Sequence, residues 1–123
     1  MGSAERVAIL GASADTQRYA FKAQRLLKEY GHAVVPVSPK AQCIDGDAVV
    51  DSLGDIEGAV DTLTLYVRPA ISTQYRDAIL ALAPRRVIFN PGTENPDLES
   101  VLRAAGISCL EACTLVMIRT GTW

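Results

Sequence analysis

Histidine occurs once in this chain, as His32, so neither a His-rich metal site nor a Ser–His catalytic pair is expected. Cysteine is scarce and odd in number. Cys43, Cys109 and Cys113 offer no paired framework, which fits a reducing cytoplasm. Cys109 and Cys113 do not form a Cys-x-x-Cys motif and read as structural, although Cys113 stands where a strand end can leave a thiol exposed. Basic charge is not in excess: 12 Lys and Arg against 14 Asp and Glu leave a net −2, which argues against a nucleic-acid partner. Apolar runs are short, and none approaches the roughly 20 residues that span a bilayer. Glu5 and Arg6 interrupt any apolar leader. Met1-Gly2-Ser3 matches the opening of a myristoylation signal, but Arg6 stands where Ser or Thr is wanted, so a plain start is expected.

What the chain does have is a core. With 123 residues and a hydrophobic fraction of 49%, it reads as one domain, 1–123, able to bury an interior without staples. The stretch Val7-Ala8-Ile9-Leu10-Gly11-Ala12-Ser13 organises it. Four apolar residues run into a glycine and then into small residues, the pattern of a strand buried on both faces that turns sharply into a helix. The free amides at such a helix start bind anions, above all nucleotide phosphates.

Downstream, strands and helices alternate. Asp15 or Thr16 is placed to cap a helix to Tyr30, with Ala20, Ala23, Leu26, Leu27 and Tyr30 inward and Gly31 as its stop. A strand over His32–Val37 carries Pro36, which belongs near its end. Ser38 to Asp47 read as a loop, Ala48–Val50 as a short strand, and Ser52–Ile56 as a helical turn. A strand over Thr62–Val67 leads to a helix opened by Pro69, with Ile71, Tyr75, Ala78, Ile79 and Leu82 on one face. Arg86–Phe89 form a strand. Asn95 is an N-cap with Pro96 at the first helical position, followed by the stripe Leu98, Val101, Leu102 and Ala105 up to Gly106. A short strand over Ile107–Leu110 and a helical turn over Leu115–Arg119 close the chain. The whole predicts a doubly wound α/β fold, Rossmann-like and three-layered, with a mainly parallel sheet of about 5–6 strands.

Ligands of such sheets lie at the carboxyl ends of the strands, so four loops are candidates. Gly11-Ala12-Ser13-Ala14-Asp15-Thr16 departs from Gly-x-Gly-x-x-Gly at Ser13 and Thr16, although Ser13 supplies a hydroxyl. A tight strand–helix turn with no ligand is the plainer and less favoured alternative. Val37-Ser38-Pro39-Lys40 puts a hydroxyl and an ammonium where an NAD site carries an acid, which suits a phosphorylated ribose; a solvated lysine is the plain alternative. Arg18 and Lys22 share a helix face that Arg25 continues, and a bound anion would offset the unfavourable helix dipole at Arg18. Tyr66-Val67-Arg68-Pro69 offers flat or compact groups for an adenine ring, besides opening a helix. Asn90-Pro91-Gly92-Thr93-Glu94 is a turn that brings backbone amides and an amide side chain to a strand end, and is also explained as a turn alone.

Together these segments resemble a known family. The chain is similar to the small stand-alone CoA-binding proteins and to the CoA-binding domain of the succinyl-CoA synthetase alpha subunit. The likeness runs from Arg6 to Thr120. It is carried by Val7–Ser13, Val35–Lys40, Asp61–Pro69, Asn90–Pro96 and Ala104–Ile107. The resemblance implies that Gly11, Ala12 and Ser13 cradle the phosphates of CoA and that Lys40 neutralises its ribose phosphate. It also implies that Val67, Arg68 and Pro69 flank the adenine, with Pro91 and Gly92 nearby. Ser38 stands where the family often has asparagine, and Asn90 where glutamine is frequent. The synthetase's phosphorylated histidine belongs to another domain, and His32 is away from the ligand end of the sheet.

The expectation is a non-catalytic module that binds CoA or an acyl-CoA, with its phosphates at the first helix. The expected contacts are Gly11, Ala12, Ser13, Thr16, Arg18, Lys22, Ser38, Pro39, Lys40, Tyr66, Val67, Arg68, Pro69, Asn90, Pro91 and Gly92. A small NADP-dependent oxidoreductase-like protein is the alternative, motivated by the same basic second loop. No metal, membrane or nucleic acid is expected, and a homo-oligomer is left open.

Overall fold

The computed structural model describes residues 4–123, so Met1-Gly2-Ser3, read above as a plain start, lies outside the described residues. The main sheet is wholly parallel. Its strands are β1 (Arg6–Leu10), β2 (Ala33–Val37), β5 (Thr62–Leu65), β6 (Arg86–Phe89) and β7 (Ser108–Glu111), in the order β2-β1-β5-β6-β7. The chain winds outward from β1 first to one side and then to the other, so the order reverses between β1 and β5. Val7, Ala8, Ile9, Leu63, Leu65, Val87, Ile88 and Phe89 are fully buried, as strands covered on both faces must be.

Helices cover the two faces in the expected three layers. On one face α1 (Tyr19–Glu29) and α5 (Thr114–Arg119) bring Ala20, Phe21, Leu27 and Ile118 onto Val7 and Ile9. On the other, α2 (Pro69–Ser72), α3 (Arg76–Leu82) and α4 (Pro96–Ala104) cover Ala8, Leu10, Leu63, Leu65, Val87 and Phe89, to which Ile79, Leu98 and Leu102 contribute. Pro36 is tolerated because of the side it faces. Its carbonyl points away from β1 and accepts from Val50 N at 3.1 Å, so the missing amide hydrogen falls on the outer edge.

Several elements differ from the sequence expectation. The first helix begins at Tyr19, with Arg18 as its N-cap, because Asp15 closes a turn of its own: its Oδ1 accepts from Gln17 N and its carbonyl from Arg18 N. Tyr30 is exposed, and Phe21 and Gln24 take the inward positions. The helix opened by Pro69 divides into α2, a single 3-10 turn over Thr73–Tyr75 and α3. At the break, the Asn95 amide donates to Pro69 O, Ser72 Oγ and Thr73 Oγ1, which ties the turn to the start of α4. Asn95 does cap α4, accepting from Leu98 N, but Val101 and Ala105 face solvent and Glu99 is the buried member of that turn.

The supposed loop from Ser38 to Asp47 contains a hairpin, β3 (Cys43–Ile44) with β4 (Asp47–Ala48), turned by Asp45 and Gly46, both at positive φ. Side chains of α1 fasten it. Arg25 meets Asp45 at 2.8 Å, Lys28 meets Asp45 at 2.9 Å and Asp47 at 2.8 Å, and buried Gln24 donates to Ile44 O. Hydrogen bonds from Arg25 and then Lys28 lower the Asp45 carboxyl to about 2 from its ordinary 3.8. Because the folded value is the lower one, this stabilisation is present above the ordinary carboxylate range and is lost as pH falls toward 2. Asp45→Asn keeps a residue that tolerates the turn and removes the charge. Its urea midpoint should lie below that of the parent at neutral pH, and the gap should close in acid. A gap independent of pH would mean that the ion pairs do not hold the hairpin.

Candidate functional site

A cleft of about 830 Å³ opens where the strand order reverses, at the carboxyl ends of β1, β2 and β5. Its floor is the Gly11–Ser13 turn. Gly11 has φ +89°, and both Gly11 N and Ala12 N donate to Val37 O at 3.2 Å, binding the turn to the end of β2. Those two amides are therefore engaged within the protein. Ser13 Oγ accepts from Asp15 N at 3.1 Å, which leaves its hydroxyl hydrogen free to donate. Beyond the loop, the amides of Tyr19, Ala20 and Phe21 precede the first bond of α1, from Lys22 N to Arg18 O. Tyr19 and Ala20 line the cleft, so the free helix start does face it, but several residues later in the chain than expected.

The second wall is Ser38-Pro39-Lys40. Ser38 is buried and its Oγ accepts from Lys40 N at 3.2 Å, curling the loop so that the lysine stands exposed at the rim. The third wall is Tyr66-Val67-Arg68, joined to the first by Tyr66 N donating to Leu10 O at 2.9 Å. Charge in the cleft is mixed: Arg18, Lys40 and Arg68 face it together with Asp15 and Asp51. Arg18 is paired loosely with Asp15 at 3.7 Å, and both side chains are largely exposed, so an entering anion can draw the guanidinium away at little cost.

Of the expected contacts, Gly11, Ala12, Ser13, Arg18, Ser38, Pro39, Lys40, Tyr66, Val67 and Arg68 come together around this one cleft. Thr16, Lys22, Pro69, Asn90, Pro91 and Gly92 do not line it. The Lys22 ammonium lies over the Tyr19 ring at 5.6 Å, and Arg25 is turned to the hairpin. Asn90 is buried within the protein fabric. Its Nδ2 donates to Thr64 Oγ1 and Leu65 O, and its Oδ1 accepts from Thr114 N. Asp15, which belongs to the first candidate loop but is not among the expected contacts, also lines the cleft, and the sequence reading missed Tyr19, Asp51, Ile71, Gln74 and Tyr75. Asp51 carries a signal only once Val50 is known to bridge Val37 in parallel, which brings it beside the second loop.

A family model described as a CoA-binding domain matches residues 5–119. The chain belongs to the CoA-binding domain family. This CoA-binding domain is also similar to an uncharacterised protein solved by crystallography, with 43% identity, 99% of this chain and 100% of that one covered, and a TM-score of 0.93. A Thermus thermophilus protein shares 32% identity over 98% of this chain and 91% of its own, with a TM-score of 0.89. The acetyl-coenzyme A synthetase of Ca. Korarchaeum cryptofilum, solved with phosphate and ADP, has the same fold in part of its length. There the identity is 21%, the TM-score 0.74, and the coverage 88% of this chain against 25% of the synthetase.

Burial shifts one titratable group of the cleft, Tyr66, and one outside it, Cys109. Burial, opposed by the Thr114 and Thr64 hydroxyls, pushes the Tyr66 phenol up to about 12. Burial likewise pushes the Cys109 thiol up to about 11, beneath α4. His32 is at the opposite end of the strands, where its Nδ1 accepts from Glu5 N and its ring packs against Trp123.

Proposed function

We propose that this CoA-binding domain holds CoA or an acyl-CoA across the carboxyl ends of β1, β2 and β5 without itself performing chemistry. The observation that carries the reading is the convergence of Gly11–Ser13, Ser38–Lys40 and Tyr66–Arg68 on one cleft, with the free start of α1 facing it. In this reading the diphosphate lies against Ser13 and the amides of Tyr19 and Ala20, where unpaired donors and the helix dipole favour negative charge. Arg18 leaves Asp15 to join it. Lys40 at the rim meets the ribose phosphate, and Val67 packs against the adenine. Tyr75 and Ile71 provide apolar cover further along, suited to the pantetheine arm.

Calorimetric titration separates this from general adenosine-phosphate binding. CoA should bind about 10-fold more tightly than its analogue lacking the ribose phosphate, as expected for one exposed charge-assisted contact. Lys40→Ala should erase that difference and leave the analogue's affinity nearly unchanged. Equal affinity of the parent for the two ligands overturns the role of Lys40. Preference for NADP over CoA overturns the choice of ligand.

A further inference from the structure

The two edges of the main sheet are finished differently. At the β2 edge, Val50 N donates to Pro36 O and Val50 O accepts from Ser38 N, so an outer segment takes up the strand's free groups. At the β7 edge no further strand pairs among the described residues. Ser108 N and Ala112 N bond inward, to Arg85 O and Phe89 O. Strand alternation therefore turns the amides and carbonyls of Cys109 and Glu111 outward. Arg103 Nη2 donates to one of these groups, the Cys109 carbonyl, at 3.2 Å, which leaves that oxygen its second lone pair for a further donor.

The side chains around that edge are unevenly partnered. Leu110 is 38% exposed and leaves the sheet on the face opposite buried Cys109. Val116, 54% exposed, belongs to the helix layer on the Leu110 face. On the Cys109 face Glu111 has acidic neighbours. A hydrogen bond with Glu99 and the Glu99 charge, then desolvation and the Glu94 charge, raise its carboxyl above the ordinary value, against a smaller opposing pull from Arg103. Arg103, the cation beside this edge, is engaged by Glu99 at 3.3 Å and still has a largely exposed side chain.

We propose that β7 pairs antiparallel with β7 of a second copy of this chain, about a two-fold axis at Leu110. In this register Cys109 lies opposite Glu111 of the second copy, and their outward amides and carbonyls satisfy each other. The two Leu110 side chains meet at the close, non-hydrogen-bonded position on the axis. Glu111 of the second copy comes beside Arg103 and receives the cation that its own subunit directs to Glu99. The contact is isologous, so it closes at two copies and does not propagate. The same charges oppose a strand that lacks them, which protects a bare edge from indiscriminate pairing. The cleft at β1 and β5 lies away from this edge and stays open.

Sedimentation equilibrium from about micromolar to about millimolar protein should show a reversible monomer–dimer equilibrium, with a dissociation constant of about 10 to 100 micromolar for so small an interface. The register is tested by cysteine crosslinking in a background with Cys43 and Cys113 changed to serine. Leu110→Cys should form a covalent dimer on oxidation. Ser108→Cys should not, because its two copies lie about 13 Å apart along the paired strands. Circular dichroism confirms that both variants fold. Glu111→Arg, which leaves the Arg103–Glu99 pair of each subunit intact, should weaken the dimer about 10-fold by setting like charges together. A monomer at every concentration overturns the proposal. So does a dimer in which Leu110→Cys fails to crosslink, or in which Ser108→Cys crosslinks as readily.

Discussion

Gly11→Ala is expected to destabilise the protein by about 2–5 kcal/mol, the sum of left-handed strain for alanine and local overpacking. Gly11 has φ +89°, and a Cβ there would lie 2.8 Å from Val67 Cγ1, 2.9 Å from Tyr66 O and 3.0 Å from Tyr66 C. The Val67 methyl can swing away, but the Tyr66 peptide cannot, since Tyr66 N is held to Leu10 O at 2.9 Å. Relief must therefore come from parting the ends of β1 and β5, which form two walls of the cleft. Against a total stability of about 5–15 kcal/mol, such a loss is large. Thermal unfolding followed by circular dichroism should shift down by about 10 °C or more. Calorimetry should find CoA binding lost even where the variant is still folded. A variant that melts within about 2 °C of the parent and still titrates CoA would show that the close approach of the two loops is not required.

Asn90→Ala should rival it in stability while acting on a different property. The change leaves Thr64 Oγ1, Leu65 O and Thr114 N, all in buried surroundings, without the partner that now serves them at 2.7, 2.8 and 2.9 Å. Each orphaned group costs about 1–3 kcal/mol, and because the groups share one site the total should fall near 3–4 kcal/mol. Thr64 Oγ1 and Thr114 Oγ1 retain their mutual contact at 2.8 Å, which limits the loss. Asn90 does not line the cleft, so in the folded variant CoA affinity should change by less than about 3-fold. Chemical denaturation and calorimetry on the same preparation separate the two effects. Near-parental stability with lost CoA binding would restore Asn90 to the role of a ligand contact.

The regular elements were readable wherever a local pattern agreed with the tertiary demand. Val7–Leu10, Thr62–Leu65 and Val87–Phe89 are unbroken apolar or β-branched runs, and all lie buried in strands of the sheet. Asn95-Pro96 is a helix start by chemistry alone, and the side chain caps as expected. The failures have equally local causes. Asp15 is a good cap for a helix and an equally good closer of a turn, and because it closes the turn to Gln17 and Arg18, α1 begins at Tyr19. The β3–β4 hairpin escaped notice because strands of two residues show no alternation, although Asp45-Gly46 carried the turn signal. Glu99 broke the apolar stripe of α4 because Arg103 and Asn95 N satisfy it in the interior.

For the cleft the division is sharper. Composition and periodicity sufficed for a parallel α/β sheet, and the motifs at three of its strand ends sufficed to name most of the residues that meet there, because each strand ends in residues whose backbone freedom or charge is unusual in place. Partnership was beyond their reach. Nothing in Asn90-Pro91-Gly92 reveals that the asparagine turns inward to Thr64 and Thr114, and nothing in the spacing of Arg18, Lys22 and Arg25 reveals that they face three different neighbours. Asp51 and Tyr75 reach the cleft only through the register of Val50 with Val37 and the break after α2. Propensity and charge are properties of a segment, whereas which groups satisfy each other depends on distances between segments, and those exist only once the sheet has closed.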